Sequence, residues 1–149
     1  MRAAVQRVSS ATVRVDGKAI GMIGHGLLVY VGVAATDGPE DAAYVADKIL
    51  HVRIFPDDEH KMNLDVQQVC GAVLLVSAFT LQADSRKGRR PSFDAAASGQ
   101  AAEDLYERVG TYVRERGVEV QTGAFGAVMA VESVNDGPIC VLLDSGRAF

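Results

Sequence analysis

The chain has 149 residues, of which 48% are hydrophobic and 23% are charged, and its formal net charge at pH 7 is -4. This length and balance are typical of one globular domain with its own apolar core, so we interpret residues 1–149 as a single domain. The negative charge excludes broad wrapping of a nucleic acid, because phosphate contacts need Lys and Arg. No secretory signal and no apolar run long enough for a membrane span is recognisable, which predicts a cytoplasmic protein.

The N-terminal part of the chain alternates between strand-like runs and turns. Residues 5–8 and 11–15 are predicted strands, and Asp16-Gly17 is typical of a tight hairpin that returns through residues 18–23. Residues 27–33 are a continuous apolar run, which indicates a strand buried on both faces. We therefore expect the chain to begin as an antiparallel meander.

A helix and a second buried strand are predicted next. Pro39 stands where a helix would begin, and apolar residues at helical spacing continue to about residue 52. Residues 73–77 are again a strand-like apolar run. The order strand, helix, strand predicts a crossover connection between parallel strands.

The remaining elements complete a mixed α/β domain. Ser98 is a plausible N-cap for a helix that runs to Arg116, and strands are predicted at residues 118–122, 129–134 and 139–143. The sum is two helices and seven or eight strands. Two helices cannot cover that much sheet, which leaves a face for a partner subunit.

The segment that follows the second buried strand carries candidate chemistry. Ser77, Phe79 and Thr80 lie where side chains would emerge from a rigid strand end. Thr80 could activate a water or attack an ester, but no base stands beside it in the sequence. The alternatives are a structural Thr80, or backbone amides near Phe79 that hold the oxygen of a carbonyl group.

A second candidate is the turn-like segment Asn135-Asp136-Gly137-Pro138. Gly and Pro usually serve only to turn the chain, and X-Pro bonds are usually trans. If this bond were cis, two successive carbonyl groups would project the same way and form a rigid wall. Only the hydrogen of a substrate's α-carbon could face that wall, which would separate mirror-image amino acids and still admit glycine.

Two further segments have both a functional and a structural interpretation. Four of the five residues from 86 to 90 are basic and could contact phosphates or form a solvated loop: Arg86, Lys87, Arg89 and Arg90. Phe125 and Met129 could line an apolar slot of adenine size or pack in the core. Phe93 is expected in the core rather than as a platform for a base.

No metal or cofactor site is predicted. The three histidines, His25, His51 and His60, are too scattered for a triad or a metal site. Cys70 and Cys140 match neither a zinc pattern nor a disulfide framework, so we expect reduced, unpaired thiols.

Several ordered motifs resemble the D-aminoacyl-tRNA deacylase (D-tyrosyl-tRNA deacylase) family nearly end to end. They are Val5-Gln6-Arg7-Val8, Lys61-Met62-Asn63, Thr80-Leu81, Lys87-Gly88-Arg89-Arg90-Pro91-Ser92-Phe93, Thr122-Gly123, Phe125-Gly126 and Val134-Asn135-Asp136-Gly137-Pro138. The resemblance implies a barrel-like, layered β-β-α fold with mainly antiparallel sheets. It also implies a homodimer with its active sites at the subunit interface, without a metal or other cofactor.

The resemblance further implies a hydrolase that proofreads translation by cutting the ester between a D-amino acid, or mischarged glycine, and the 3′ end of tRNA. Thr80 would lie beside the ester, with Phe79 and Ser77 in the same catalytic segment. Gly137 and Pro138, joined by a cis bond, would reach into the partner's site and reject L-amino acids. The implied contacts to the terminal adenosine and substrate come from Phe125, Met129 and Asn135. The implied contacts to tRNA phosphates come from the basic cluster, which consists of Arg86, Lys87, Arg89 and Arg90.

The chain departs from the usual family pattern at two positions near the expected site. Ala78 stands where Gln is usual, and Cys140 stands where Thr is usual. Both changes remove hydrogen-bonding capacity. They motivate an alternative, a non-catalytic or weakly active paralogue that binds tRNA ends or a protein partner. A third hypothesis makes Cys140 a thiol nucleophile, although no local base or helix end supports it.

Overall fold

The computed structural model describes residues 1–148, which form eight strands, two α-helices and one short 3₁₀ helix. The strands are β1 (Arg2–Val15), β2 (Lys18–Ile23), β3 (Gly26–Gly32), β4 (Phe55–Pro56), β5 (Met62–Leu64), β6 (Ala72–Ser77), β7 (Val120–Thr122) and β8 (Ala130–Asp144). The α-helices are α1 (Pro39–His51) and α2 (Gly99–Glu115), and the 3₁₀ helix is Phe79–Gln82. This composition confirms the predicted mixed α/β class.

A six-stranded sheet dominates the fold, and β1 organises it. One edge of β1 pairs with β8 along nearly its whole length, while the other edge pairs first with β3 and then with β2, all antiparallel. The prediction of separate strands at residues 5–8 and 11–15 was wrong. The polar pair between them, Ser9 and Ser10, is exposed and forms an irregularity in the pairing with β8. The strand is nevertheless continuous, because pairing with β8 resumes at Ser10.

The crossover prediction is confirmed. The path from β3 through α1 leads to β6, which lies parallel to β3 in the register Leu27 to Val73 and Tyr30 to Val76. β7 then adds parallel to β6. Both central strands are buried on both faces, as their continuous apolar sequences indicate.

Alternation along the central strands divides the core into two layers. Leu27, Val29 and Val31 of β3 face the layer that contains the helices. Leu28 instead joins a smaller layer with Leu74 of β6, inside the curl of the sheet. Because successive side chains of a strand point to opposite faces, one apolar run can supply both layers.

The sheet curls toward a barrel. β2 and β7 pair with different strands, β1 and β6, yet Gly21 of β2 lies against the main chain of β7. A Cβ at Gly21 would lie 2.7 Å from the carbonyl oxygen of Thr122. Glycine is therefore needed where the curled sheet brings these strands together.

The helices begin and end close to their predicted positions. Pro39 is the first residue of α1, and the Asp41 carboxylate accepts a hydrogen bond from the Gly38 N–H at 2.8 Å. Ser98 does precede α2, but its side chain makes no capping hydrogen bond. Within residues 1–148, no helix combines the length and the apolar character needed to cross a membrane.

β8 corrects the prediction of two separate strands at its end of the chain. It continues through the Asn-Asp-Gly-Pro segment and keeps β1 as its partner on both sides. Val8 pairs with Asn135 and Gln6 pairs with Cys140, so a five-residue step on β8 faces a two-residue step on β1. The extra residues form an outward excursion, which we call the corner (residues 136–139).

Candidate active site

A cavity of about 780 Å³ opens beside the carboxyl end of β6. Its lining includes all three residues of the predicted catalytic segment, Ser77, Phe79 and Thr80, together with Phe125 and Met129 from the β7–β8 connection. The structure therefore brings together five residues that the sequence places in two distant segments. Their roles remain predictions.

The catalytic segment takes a different form from the predicted strand end. β6 stops at Ser77, and Thr80 is the second residue of the 3₁₀ helix. The turn is fixed at both ends. The Ala78 N–H donates to the Val31 carbonyl at 2.8 Å, and the buried Gln82 side chain donates through Nε2 to the Gly32 carbonyl at 2.7 Å. Gln82 is a supporting residue that sequence reasoning missed.

The start of the 3₁₀ helix presents free main-chain donors. Ala78 and Leu81 use their N–H groups within the fold, whereas those of Phe79 and Thr80 have no acceptor among residues 1–148. Unpaired N–H groups at a helix start are suited to an anion or a polarised carbonyl oxygen. Both residues are exposed and line the cavity, and the backbone contact to an ester stays a prediction.

The cavity has aromatic walls. Phe79 and Phe93 meet edge to face with ring centroids 5.2 Å apart, and Phe125 packs against Tyr106 at 5.7 Å. Phe93 is 38% exposed and lines the cavity, so its predicted place in the core was wrong. The loop that carries it lies at the surface, where the Phe79 ring is its aromatic neighbour.

The cavity lining offers little acid–base chemistry. Asp94 is the one carboxylate that the described residues contribute to it, and its Oδ2 accepts a hydrogen bond from the Ser92 hydroxyl at 2.7 Å. No histidine lines the cavity, and residues 1–148 contain no cluster of three or more His, Cys, Asp or Glu that could hold a metal ion. Cys70 and Cys140 are exposed free thiols.

The corner does not line this chain's own cavity. Gly137 and Pro138 are exposed on β8, and the peptide bond between them is cis. The Asn135 side chain, predicted as a substrate contact, accepts a hydrogen bond from the Ile139 N–H at 3.0 Å. Asn135 thus bridges the base of the corner and lies apart from Phe125 and Met129 in the cavity lining.

Arg7 is a residue whose role the sequence reasoning missed. It is only 9% exposed, and its guanidinium donates to the main-chain oxygens of Asp136 in the corner and Ile54 after α1. A signal was present: Arg7 interrupts an apolar strand at a position where a buried cation needs partners.

The basic cluster lies on a hairpin-like loop closed by two main-chain hydrogen bonds between Asp84 and Ser92. Arg86 binds the Asp84 carboxylate through Nη2 at 2.6 Å and Nε at 2.9 Å, and this guanidinium holds the pKa of Asp84 well below its usual range. The described residues offer no ion-pair partner to Lys87, Arg89 or Arg90. These three exposed charges remain free to meet an anion.

A family model described as D-Tyr-tRNA(Tyr) deacylase matches residues 4–144. The chain is 58% identical to the D-aminoacyl-tRNA deacylase of Anaeromyxobacter dehalogenans (strain 2CP-C) and 53% identical to that of Koribacter versatilis (strain Ellin345), each over the whole length of both chains.

Two solved structures share the fold. The c-Myc DNA Unwinding Element Binding Protein matches with a TM-score of 0.91 and 36% identity over 97% of this chain and 98% of its own. A probable eukaryotic D-amino acid tRNA deacylase matches with a TM-score of 0.81 and 20% identity over 95% of this chain and 97% of its own. On its full-length similarity, this chain belongs to the D-Tyr-tRNA(Tyr) deacylase family.

Proposed function

We propose that this chain hydrolyses the ester between a D-amino acid, or mischarged glycine, and the 3′ end of tRNA, releasing free tRNA and amino acid. The observation that carries the proposal is the single cavity that collects Ser77, Phe79 and Thr80 with Phe125 and Met129, in a chain of the deacylase family. Relatives of 53% and 58% identity bear the name of this activity. Action on aminoacyl-tRNA would place the protein in the cytoplasm.

In this proposal the terminal adenosine lies against Phe125 and Met129, and the ester lies over the start of the 3₁₀ helix. The free N–H groups of Phe79 and Thr80 polarise the ester carbonyl and stabilise the oxyanion that forms when it is attacked. Water or the ribose hydroxyl attacks. Thr80 positions the reacting groups and need not become acylated, since no base stands beside it in the sequence.

Gly137 and Pro138 enforce chirality from a second copy of the chain. Their absence from this chain's own cavity lining and their exposure support an action in trans. The anchors Arg7 and Asn135 fix the main chain of the corner, so its carbonyl groups can act as a wall that does not yield. An L-amino acid would place its side chain against that wall.

The exposed surfaces of β2 and β8 support a homodimer. β2 and β8 expose large apolar side chains, including Met22 at 65% and Leu142 at 56% exposure. β8 also has an edge that pairs with no strand among residues 1–148. A long unpaired edge with exposed apolar groups is unfavourable in water unless another chain covers it.

Deacylation of matched D- and L-aminoacyl-tRNA tests the activity. We expect turnover of the D-substrate and at least tenfold slower turnover of the L-substrate. Turnover of neither by a correctly folded protein would favour the alternative, a paralogue that binds tRNA ends or a protein partner. Cys140→Ser should keep its turnover, because the proposed mechanism does not use the thiol. Loss of turnover would instead point to the thiol as nucleophile.

Mixing two variants that each lose most of their turnover tests the action in trans. Ala127→Trp would fill the cavity, and Gly137→Ala would disturb the corner. If each site combines the cavity of one subunit with the corner of its partner, half of the dimers in an equal mixture hold one intact site, and activity returns to about a quarter of the wild-type value. A mixture that stays inactive although its subunits exchange contradicts the shared site.

A further inference from the structure

The cavity contains a tyrosine that neither the sequence motifs nor the proposed mechanism uses. Tyr30 of β3 lines it together with Val76, Ala78, Met129 and Val131. Its aromatic ring is partly buried against the inner core layer. This partial burial also raises the pKa of its hydroxyl, which is therefore a neutral donor at physiological pH.

The Tyr30 hydroxyl is free. It has no hydrogen-bond partner among residues 1–148, whereas the buried hydroxyl of Tyr106 donates to the Leu75 carbonyl at 2.8 Å. No buried side-chain polar atom of the described residues lacks a partner, so the unpaired Tyr30 oxygen must reach solvent-accessible space. Because Tyr30 lines the cavity, we infer that its hydroxyl opens into the cavity.

Tyr30 and residue 78 share one face of the sheet. The parallel register places Tyr30 beside Val76, and in an extended chain the side chain two residues after Val76 points to the same face. Residue 78 still follows this alternation, because its N–H continues the ladder to the Val31 carbonyl. A Gln at position 78, which the family resemblance implies as the usual residue, would therefore project an amide over the same part of the cavity as Tyr30.

The other lining residues on this face are apolar. Val76, Met129 and Val131 offer no donor, so Ala78 leaves Tyr30 as the polar side chain here. We propose that the Tyr30 hydroxyl binds the ribose–ester end of the substrate in place of the amide that is absent at Ala78. This inference rests on the proposed function and adds a substrate-binding residue that none of the sequence motifs contains.

A double-mutant cycle tests the replacement. Tyr30→Phe keeps the ring and removes only the hydroxyl, and we expect it to lower kcat/KM for D-aminoacyl-tRNA about three- to tenfold, the size of one neutral hydrogen bond. In the Ala78→Gln background, the same change should cost less than about twofold, because the restored amide serves the substrate. Equal losses of kcat/KM in both backgrounds would show that the Tyr30 hydroxyl does not replace the amide.

Binding of a non-hydrolysable substrate analogue separates this inference from the proposed function. The probe is a D-aminoacyl amide of 3′-amino-3′-deoxyadenosine, and its Kd should rise about three- to tenfold in Tyr30→Phe. Tyr112→Phe is the matched control, since Tyr112 lies on α2 outside the cavity lining, and it should leave the Kd unchanged.

If wild type turns over the substrate and Tyr30→Phe matches wild type in both kcat/KM and Kd, the inference is wrong and the proposed function stands. If wild type neither turns over the substrate nor binds the analogue, both fail.

Discussion

Arg7 of β1 binds Asp136 of the corner twice. Its Nε donates to the Asp136 main-chain oxygen at 3.1 Å and lies 3.1 Å from the carboxylate oxygen Oδ2. The Nη1 atom donates to the Ile54 carbonyl at 2.6 Å. One largely buried cation therefore ties the excursion of β8 to the segment that follows α1.

Arg7→Met keeps much of the apolar stem and removes every donor. We expect it to lower the free energy of unfolding by about 2 kcal/mol, because two main-chain oxygens lose a charged donor. The ratio of D- to L-aminoacyl-tRNA turnover should fall at least tenfold, since the corner is released. Urea unfolding and paired deacylation assays measure the two effects.

The control for Arg7 is Arg14→Met on the same pair of strands. Arg14 lies 3.4 Å from the Glu132 carboxylate, but both side chains are well exposed. An exposed ion pair contributes little, so stability should change by no more than about 0.5 kcal/mol. A similar loss of discrimination in both variants would show that Arg7 does not act by holding the corner.

Gly137→Ala should lower turnover more than stability. Gly137 has a φ of 135°, and a Cβ there would lie 2.6 Å from Ile139 Cγ1 and 2.9 Å from the Ile139 nitrogen. The exposed corner can shift to relieve this contact, so we expect a fall in Tm of only a few degrees. Turnover of the D-substrate should fall at least tenfold. The control Gly24→Ala has open space around its Cβ and should behave as wild type.

Thr80→Ala distinguishes positioning from nucleophilic attack. If main-chain donors hold the ester, loss of this exposed hydroxyl should lower kcat/KM by about tenfold or less, equivalent to about one hydrogen bond. A fall of a thousandfold or more, with normal binding of the non-hydrolysable analogue, would instead make Thr80 the nucleophile.

The structure shows which part of this site could be read from the sequence. The long apolar runs of β3 and β6 have no polar face, so their burial and parallel crossover followed from the pattern. The excursion of β8 could not be read in the same way, because Gly and Pro signal a local turn. β8 pairs with β1 both before and after the corner, and this non-local interaction keeps the segment in one strand.

The catalytic segment shows the same limit. Ser77 and Thr80 were predicted near a strand end, but the 3₁₀ helix that presents the free N–H groups depends on Gln82 reaching back to β3. That contact joins residues 50 positions apart. Local propensity could indicate the position of the catalytic segment. It could not predict the tertiary contact of Gln82 that holds the 3₁₀ helix.

The salt dependence of tRNA binding should separate the basic residues. Replacing Lys87, Arg89 and Arg90 with Ala should reduce the slope of log Kd against log salt by about 2 to 3, if each contacts one phosphate. Arg86→Ala is the matched control, because the Asp84 carboxylate already neutralises this guanidinium. A slope unaffected by the triple change would leave the cluster as a solvated loop.

Tyr106 predicts how stability changes in alkali. Its buried ring and hydroxyl raise its pKa above the ordinary value of 10.0, chiefly through desolvation. The folded state thus favours the neutral hydroxyl, so this contribution to stability is complete below about pH 10 and is lost as pH rises toward the folded-state pKa.

Tyr106→Phe should unfold about 1 to 2 kcal/mol more easily at pH 7, because the Leu75 carbonyl loses its donor. Above pH 10, however, the stability of Tyr106→Phe should fall less steeply than that of wild type in urea titrations. Parallel curves for wild type and Tyr106→Phe would mean that Tyr106 ionises no less readily in the folded protein than in the unfolded chain.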